Sequence, residues 1–205
     1  MTQQFMQYNQ ESGEKAGGSG SLSEGGAYIC DILTAEYIKA KSGTHGIEFS
    51  FKTEAGQKAQ FVKVYYMKQD NTEVKGGQSI LNAMMGLLGI QGLSFTTEKR
   101  KDYSGNDVEV YAVSELEGKR LGIFLQKKLF TKNDNSDGYS FEIKVPYDPS
   151  TGKTLKEVNA NQPAKTIEMM TNTYKDSDER NGDNFDNSYG GFEPAGPDIG
   201  NGNPY

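Results

Sequence analysis

Alternate residues Phe61, Lys63 and Tyr65 put a flat ring, a cation and a second flat ring on one face of the extended run Phe61-Val62-Lys63-Val64-Tyr65-Tyr66-Met67-Lys68. Val62, Val64 and Tyr66 take the other face, toward a core, and Lys63 marks the first as wet. Such a face suits a partner that carries flat rings on a charged backbone. The rings stack on the aromatics whatever their identity, and the ammonium groups follow the phosphates. The mixture recurs in Lys119–Thr131 (KRLGIFLQKKLFT), where Phe124, Lys128 and Phe130 share one side and Leu121, Ile123 and Leu125 the other. Lys99-Arg100-Lys101-Asp102-Tyr103 adds a basic cluster ending in a ring, and Lys52 ends another alternating run. The expected contacts are therefore Phe61, Lys63, Tyr65, Lys52, Lys99, Arg100, Lys101, Tyr103, Phe124, Lys128 and Phe130.

Catalytic chemistry is thinly supplied. His45 is the one histidine, in a Gly-flanked turn, and Cys30 is the one cysteine, so neither a histidine triad nor a zinc site can be assembled. No disulfide can form within the chain, which fits a reducing cytoplasm, and Cys30 reads as a small buried side chain. Asp148-Pro149-Ser150-Thr151-Gly152-Lys153-Thr154 imitates a phosphate-binding loop, but Tyr147 stands where the pattern requires Gly, so it reads as a turn capping a short helix. Asn133-Asp134-Asn135-Ser136-Asp137-Gly138 has the flavour of a calcium loop without its closing glutamate and reads as a hairpin tip. The expectation is no enzyme, no cofactor and no metal.

Several elements must position these residues. Residues 27–39 form a long first strand, possible site of a bulge, followed by a turn at Lys41–Gly46. Ile47–Lys52 alternates strictly, Glu54-Ala55-Gly56-Gln57 turns, and Lys58–Lys68 returns. After Gly76-Gly77 the period changes: Ile80, Leu81, Met84, Leu87 and Leu88 fall on one face of a helix closed by Gly89. Residues 93–107 read as a long loop or irregular ribbon, Val108–Val113 as a short strand, Lys119–Thr131 as a long one, and Tyr139–Val145 as the last, ended by Pro146. This order matches a five-stranded OB-type barrel with a helix bridging the third and fourth strands, in a mainly β chain. Thr154–Val158 and Pro163–Tyr174 are helix-prone. The expected division is a disordered arm at 1–26, a binding domain at 27–146, a helical appendix at 147–175 and a disordered tail at 176–205.

Charge separates the tail from the rest. The chain has 28 acids and 22 bases, a net charge of −6. Asp176, Asp178, Glu179, Asp183, Asp186, Glu193 and Asp198 against Arg180 account for all of it, so residues 1–175 are neutral. An acidic tail would compete with phosphates for a local basic groove, and the neutral body is no obstacle to one. Neither the N-terminus, which lacks a basic flank and an apolar run, nor Ile80–Ile90, short and broken by Gly, reads as a membrane or export segment.

The stretch Ala40-Lys41-Ser42-Gly43-Thr44 … Gly46-Ile47-Glu48-Phe49-Ser50-Phe51 resembles the first hairpin of bacteriophage-encoded single-stranded DNA-binding proteins. So does the Gly-Gly start of the helix that ends Leu87-Leu88-Gly89, and Tyr147-Asp148-Pro149 … Thr151-Gly152-Lys153-Thr154 … Glu157 is similar to their C-terminal part. The resemblance covers residues 27–180. It implies an OB-fold protein that coats single strands during phage replication or recombination in the cytoplasm of the infected host. It also implies a tail that recruits replication or recombination enzymes, here through Asp183, Asp186, Glu193, Asp198, Ile199, Pro204 and Tyr205. The tail departs from the family pattern, because its acids are spread out and its end is Asp198-Ile199-Gly200-Asn201-Gly202-Asn203-Pro204-Tyr205. A reading from another class is a protein-interaction or virion accessory module, in which the aromatics are core.

Overall fold

The computed structural model describes Gln7, residues 20–102 and residues 104–180. Tyr103 and all seven tail residues named above lie outside the described residues. The fold is mainly β. Its elements are β1 (Gly26–Lys39), β2 (His45–Thr53), β3 (Lys58–Met67), α1 (Lys75–Leu88), β4 (Thr96–Lys101), β5 (Asp107–Ala112), β6 (Arg120–Thr131), β7 (Asp137–Tyr147), α2 (Leu155–Asn159), α3 (Thr166–Thr173) and β8 (Ser177–Asp178).

β1 organises the sheet because it is long enough to serve three partners. Its first half pairs antiparallel with β6, Gly26 to Asp31 against Leu125 to Arg120. From Cys30 onward it pairs antiparallel with β2, and Glu36 also meets Ala112 of β5. The register slips between Ile32 and Thr34, so the expected bulge is present, bending the strand as it changes neighbours. β2 pairs with β3, β4 with β5, and β6 with β7, all antiparallel. β8 alone among the named strands runs parallel to its neighbour, β6. β3 and β7 approach each other without a shared ladder, so the sheet does not close into a barrel.

The core lies on the inner face: Ile32, Phe49, Phe51, Val62, Leu121, Ile123, Leu125 and Ile143 are almost fully buried, with Met84 of α1 over them. α1 packs tightly because Gly77 faces β3, where a Cβ would lie 1.8 Å from the Tyr65 carbonyl oxygen. It ends at Gly89, whose φ of 68° is the left-handed conformation that glycine adopts without penalty, with the Ile90 N–H bonded to the Met85 carbonyl.

Three sequence expectations change. Residues 96–101 are a strand, and with β5 and β8 the sheet has more than five strands. β7 continues through Pro146 to Tyr147, the proline lying in a strand whose ladder partner is β6 alone. The folded body also takes in residues before 27 and after 175. Leu22 is 2 % exposed and its N–H bonds the Lys58 carbonyl, while Ser177–Asp178 form β8.

Both appendix helices hang on Glu157. Thr154 caps α2, and Glu157 returns the bond to Thr154 N–H at 2.8 Å, completing a capping box. Its other carboxylate oxygen accepts from Lys165 N–H, Thr166 N–H and the Thr166 hydroxyl at 2.8–2.9 Å, at the start of α3. Burial pushes the Glu157 carboxyl up, but these donors outweigh it and hold it at about 2. The loop before it spends its donors internally. Asp148 accepts from Ser150 and Thr151, as expected of a capping turn.

Candidate nucleic-acid interface

The outer face of β1–β3 carries the first group of expected contacts. Phe61 is 53 % exposed, and Val62 and Val64 are buried on the opposite side, as the alternation requires. Phe61 has φ 61° at a slip in the β2–β3 register, where Gln60 and Phe61 together face one residue, Ser50. A left-handed bulge is costly for an aromatic residue, and it turns this ring away from the core. Lys63 is exposed but lies 3.2 Å from Glu48. Tyr65 is half-buried, its ring against Gly46, and Lys52 is exposed between Asp31 and Lys58 in the ladders. This face presents two rings and two lysines.

The β4–β5 ribbon behaves differently. Arg100 bonds the Glu117 carboxylate through two nitrogens at 2.8 and 2.9 Å, Glu98 at 2.9 Å and Glu36 at 3.2 Å. Those bonds, Glu117 first, raise its pKa further, while burial pushes the Glu36 carboxyl up despite the arginine. Glu117 also takes the Ala35 N–H, tying the cage to β1. Three carboxylates saturate the Arg100 fork, so it is a structural hub, contrary to its expected role as a phosphate contact. Lys101 is held by Asp107 at 2.9 Å. Lys99 is exposed on the opposite side of β4.

The β6–β7 ribbon divides at its base. Phe124 is 2 % exposed and packs on Tyr174, ring centroids 5.7 Å apart, so it is core and not a stacking platform. Strand alternation placed it correctly on the side opposite Leu121, Ile123 and Leu125, but the segment after α3 covers that side. Phe130, farther out, is half-buried. Lys128 meets Glu142 at 3.7 Å and Glu179 at 3.0 Å, and Lys127 meets Glu24 and Asp176. The partners Asp176 and Glu179 come from the root of the acidic tail. Tyr174 accepts the Lys127 N–H at 3.0 Å and donates to Asp176 at 2.5 Å; burial and that carboxylate push its phenol up to about 12. β8 then runs beside Lys128–Leu129, Glu179 N–H bonds the Leu129 carbonyl, and Arg180 reaches Asp137 at 2.8 Å.

A second aromatic group emerges only in the fold. Tyr37 of β1 stacks on Phe95, centroids 4.7 Å apart and planes 13° from parallel, and Tyr111 of β5 meets both edge-on. Phe95 is 50 % and Tyr111 47 % exposed. His45 opens β2 and is not the exposed turn residue its glycines suggest; its Nδ1 lies 2.6 Å from the Tyr37 hydroxyl. The cluster borders a groove of about 510 Å³ between α1 and the sheet, floored by Ile47, Leu81 and Val113. The sequence signal was present in Leu93 and Phe95, apolar residues within an otherwise polar run.

Cys30 is buried, and burial pushes its thiol up to about 12, which removes it from chemistry at neutral pH. Among the described residues no group of three or more His, Cys, Asp or Glu side chains is placed to hold a metal ion, and no helix is long and apolar enough to cross a membrane. No protein-family model matches the chain, and no curated protein matches its sequence.

Proposed function

We propose that this protein is a non-catalytic, sequence-tolerant single-stranded DNA-binding protein of OB type, acting in phage replication or recombination in the host cytoplasm. The observation that carries the reading is the number of rings left half-exposed beside lysines on a small sheet: Phe61 near Lys63 on one face, Phe95 and Tyr111 with Lys99 on the other side of the β4–β5 ribbon. Exposed rings of this size cost solvation, and stacking of unpaired bases repays it at about 1–3 kcal/mol each. The connectivity supports the OB-type reading. β1 pairs with both β2 and β6, α1 joins β3 to the later strands, and β7 comes alongside β3. The β4–β5 hairpin is then an insertion between the helix and the fourth barrel strand.

The acidic tail acts as competitor. Its root already covers Lys127 and Lys128, contributing a net −2 there, and the four acids beyond Arg180 carry the remaining −4. Phosphates gain those lysines only by displacing carboxylates. Freed from the body, the same acids are the natural handle for replication or recombination proteins.

Fluorescent oligothymidine binding at several salt concentrations tests this. The full chain should bind at micromolar protein or better in low salt. Truncation after residue 180 should tighten binding, and truncation after residue 175 should tighten it further and steepen the salt dependence at low salt, because salt then no longer weakens a competitor along with the DNA. Equal or weaker binding by both truncated chains removes the competitor role. No retardation by any of the three removes DNA binding and favours a protein-interaction module.

A further inference from the structure

The groove beside Tyr37 is lined by residues of which none is charged, in a chain where 24% of residues are Asp, Glu, Lys or Arg. Its volume, about 510 Å³, suits a small ring-bearing ligand. One wall is the Tyr37–Phe95 stack, and Phe95 keeps half its surface open. The other is α1, from which Gln78, Asn82 and Met85 line the space. Gln78 and Asn82 are one turn apart, and their carboxamides each offer a donor and an acceptor. The Asn82 amide nitrogen donates to the Gln78 backbone carbonyl at 2.9 Å, which leaves its oxygen and its second N–H facing a ligand. At the rim Ser94 is fixed by Glu115, through its N–H at 3.1 Å and its hydroxyl at 2.5 Å, and this anchors Phe95 next to it.

A phosphate finds no cation in this groove, and a charged side chain would lose its hydration without a partner. A purely apolar group would strand the two carboxamides. A flat, neutral ring with polar edges satisfies both walls at once. We infer that the groove is a nucleobase pocket, which takes one unstacked base of a single strand against Phe95 with its polar edge toward Gln78 and Asn82. Lys99 lies beyond the groove on the β4–β5 ribbon. Thr97 pairs with Tyr111 and Lys99 with Glu109, so Lys99 shares the Tyr111 face of the ribbon and is placed to hold the phosphate of the inserted nucleotide.

The pocket rests on the single-strand reading only for the source of its base, and the two can be tested apart. The full chain, labelled with ¹³C at its methionine methyls and assigned with Met85→Leu, is titrated with thymidine and deoxyadenosine, with deoxyribose 5-phosphate, and with oligothymidine. The Met85 methyl should move with both nucleosides and stay still with the sugar phosphate. Phe95→Ala should weaken the nucleoside response about tenfold. Asn82→Ala, at an exposed helical position that favours alanine, should weaken it several-fold while the helix remains intact. A Met85 signal that nucleosides leave unmoved, or that both variants preserve in full, overturns the pocket. If nucleosides move Met85 but oligothymidine does not bind, the pocket stands and the single-strand function falls. If oligothymidine binds without touching Met85, the function stands and the pocket falls.

Discussion

The β4–β5 and β6–β7 ribbons look alike in sequence, each mixing lysine or arginine with an aromatic residue, yet they neutralise their cations by different means. Arg100 on β4 is closed in by Glu36, Glu98 and Glu117, all from the body of the fold. Lys127 and Lys128 on β6 take part of their counter-charge from Asp176 and Glu179, residues that follow the last helix. The first arrangement is a fixture: removing any member leaves partly buried charge behind. The second is a cover contributed by one contiguous segment, residues 176–180. Basic residues in a sequence are therefore poor guides to a binding surface until the origin of their partners is known.

Four measurements test that contrast. The largest effect belongs to the base of β6. Phe124→Ala should cost about 3–5 kcal/mol in urea unfolding, the range for a buried phenylalanine, with oligothymidine affinity of the folded protein unchanged. A stable variant that binds weakly would mean that the ring stacks on DNA and the cover over it opens.

Next comes the clamp on α3, which leads into Tyr174 and the cover. Glu157 is held at about 2 against an ordinary value of 4.5, a depressed carboxylate. It therefore stabilises the fold fully above about pH 4.5, and that contribution, roughly 3 kcal/mol, is lost as pH falls through about 2. Glu157→Gln should remove this acid-side slope from the stability profile; an unchanged slope would assign it to other carboxylates.

Arg100→Leu should destabilise by about 2 kcal/mol, below the cost of breaking a fully buried pair because the guanidinium is partly exposed. Its loss should leave the salt dependence of DNA binding untouched, and a shallower slope would make Arg100 a phosphate contact after all. The smallest effect sharpens the opposite ribbon. Lys128→Ala should change oligothymidine affinity little in the full chain but weaken it several-fold in the chain ending at residue 175, lowering the salt slope there by about 0.7. Equal effects in both backgrounds would mean that the cover does not shield this lysine.

The strands with a clean apolar alternation were legible, as were α1 and its Gly89 stop, because one buried face imposes a period that a sequence must carry. β4 was not, since Thr-Thr-Glu-Lys-Arg-Lys has no apolar face; β5 pairing and the Arg100 cage hold it, and both are long-range. The Phe61 face was read correctly from one strand alone. Phe124 was read as a contact because a residue opposite the core face is exposed only if nothing packs there, and alternation is blind to Tyr174, which arrives after a later helix. The Tyr37, Phe95 and Tyr111 cluster draws on β1, the loop before β4, and β5, and no local pattern joins them.

The cover on β6 also has a place in time. It is made about 50 residues after the lysines it neutralises, an interval of roughly 3–10 s at ordinary rates of synthesis. During those seconds the nascent ribbon is more basic than in the finished chain, and its attraction for any polyanion nearby, ribosomal RNA included, is at its greatest before the protein is complete.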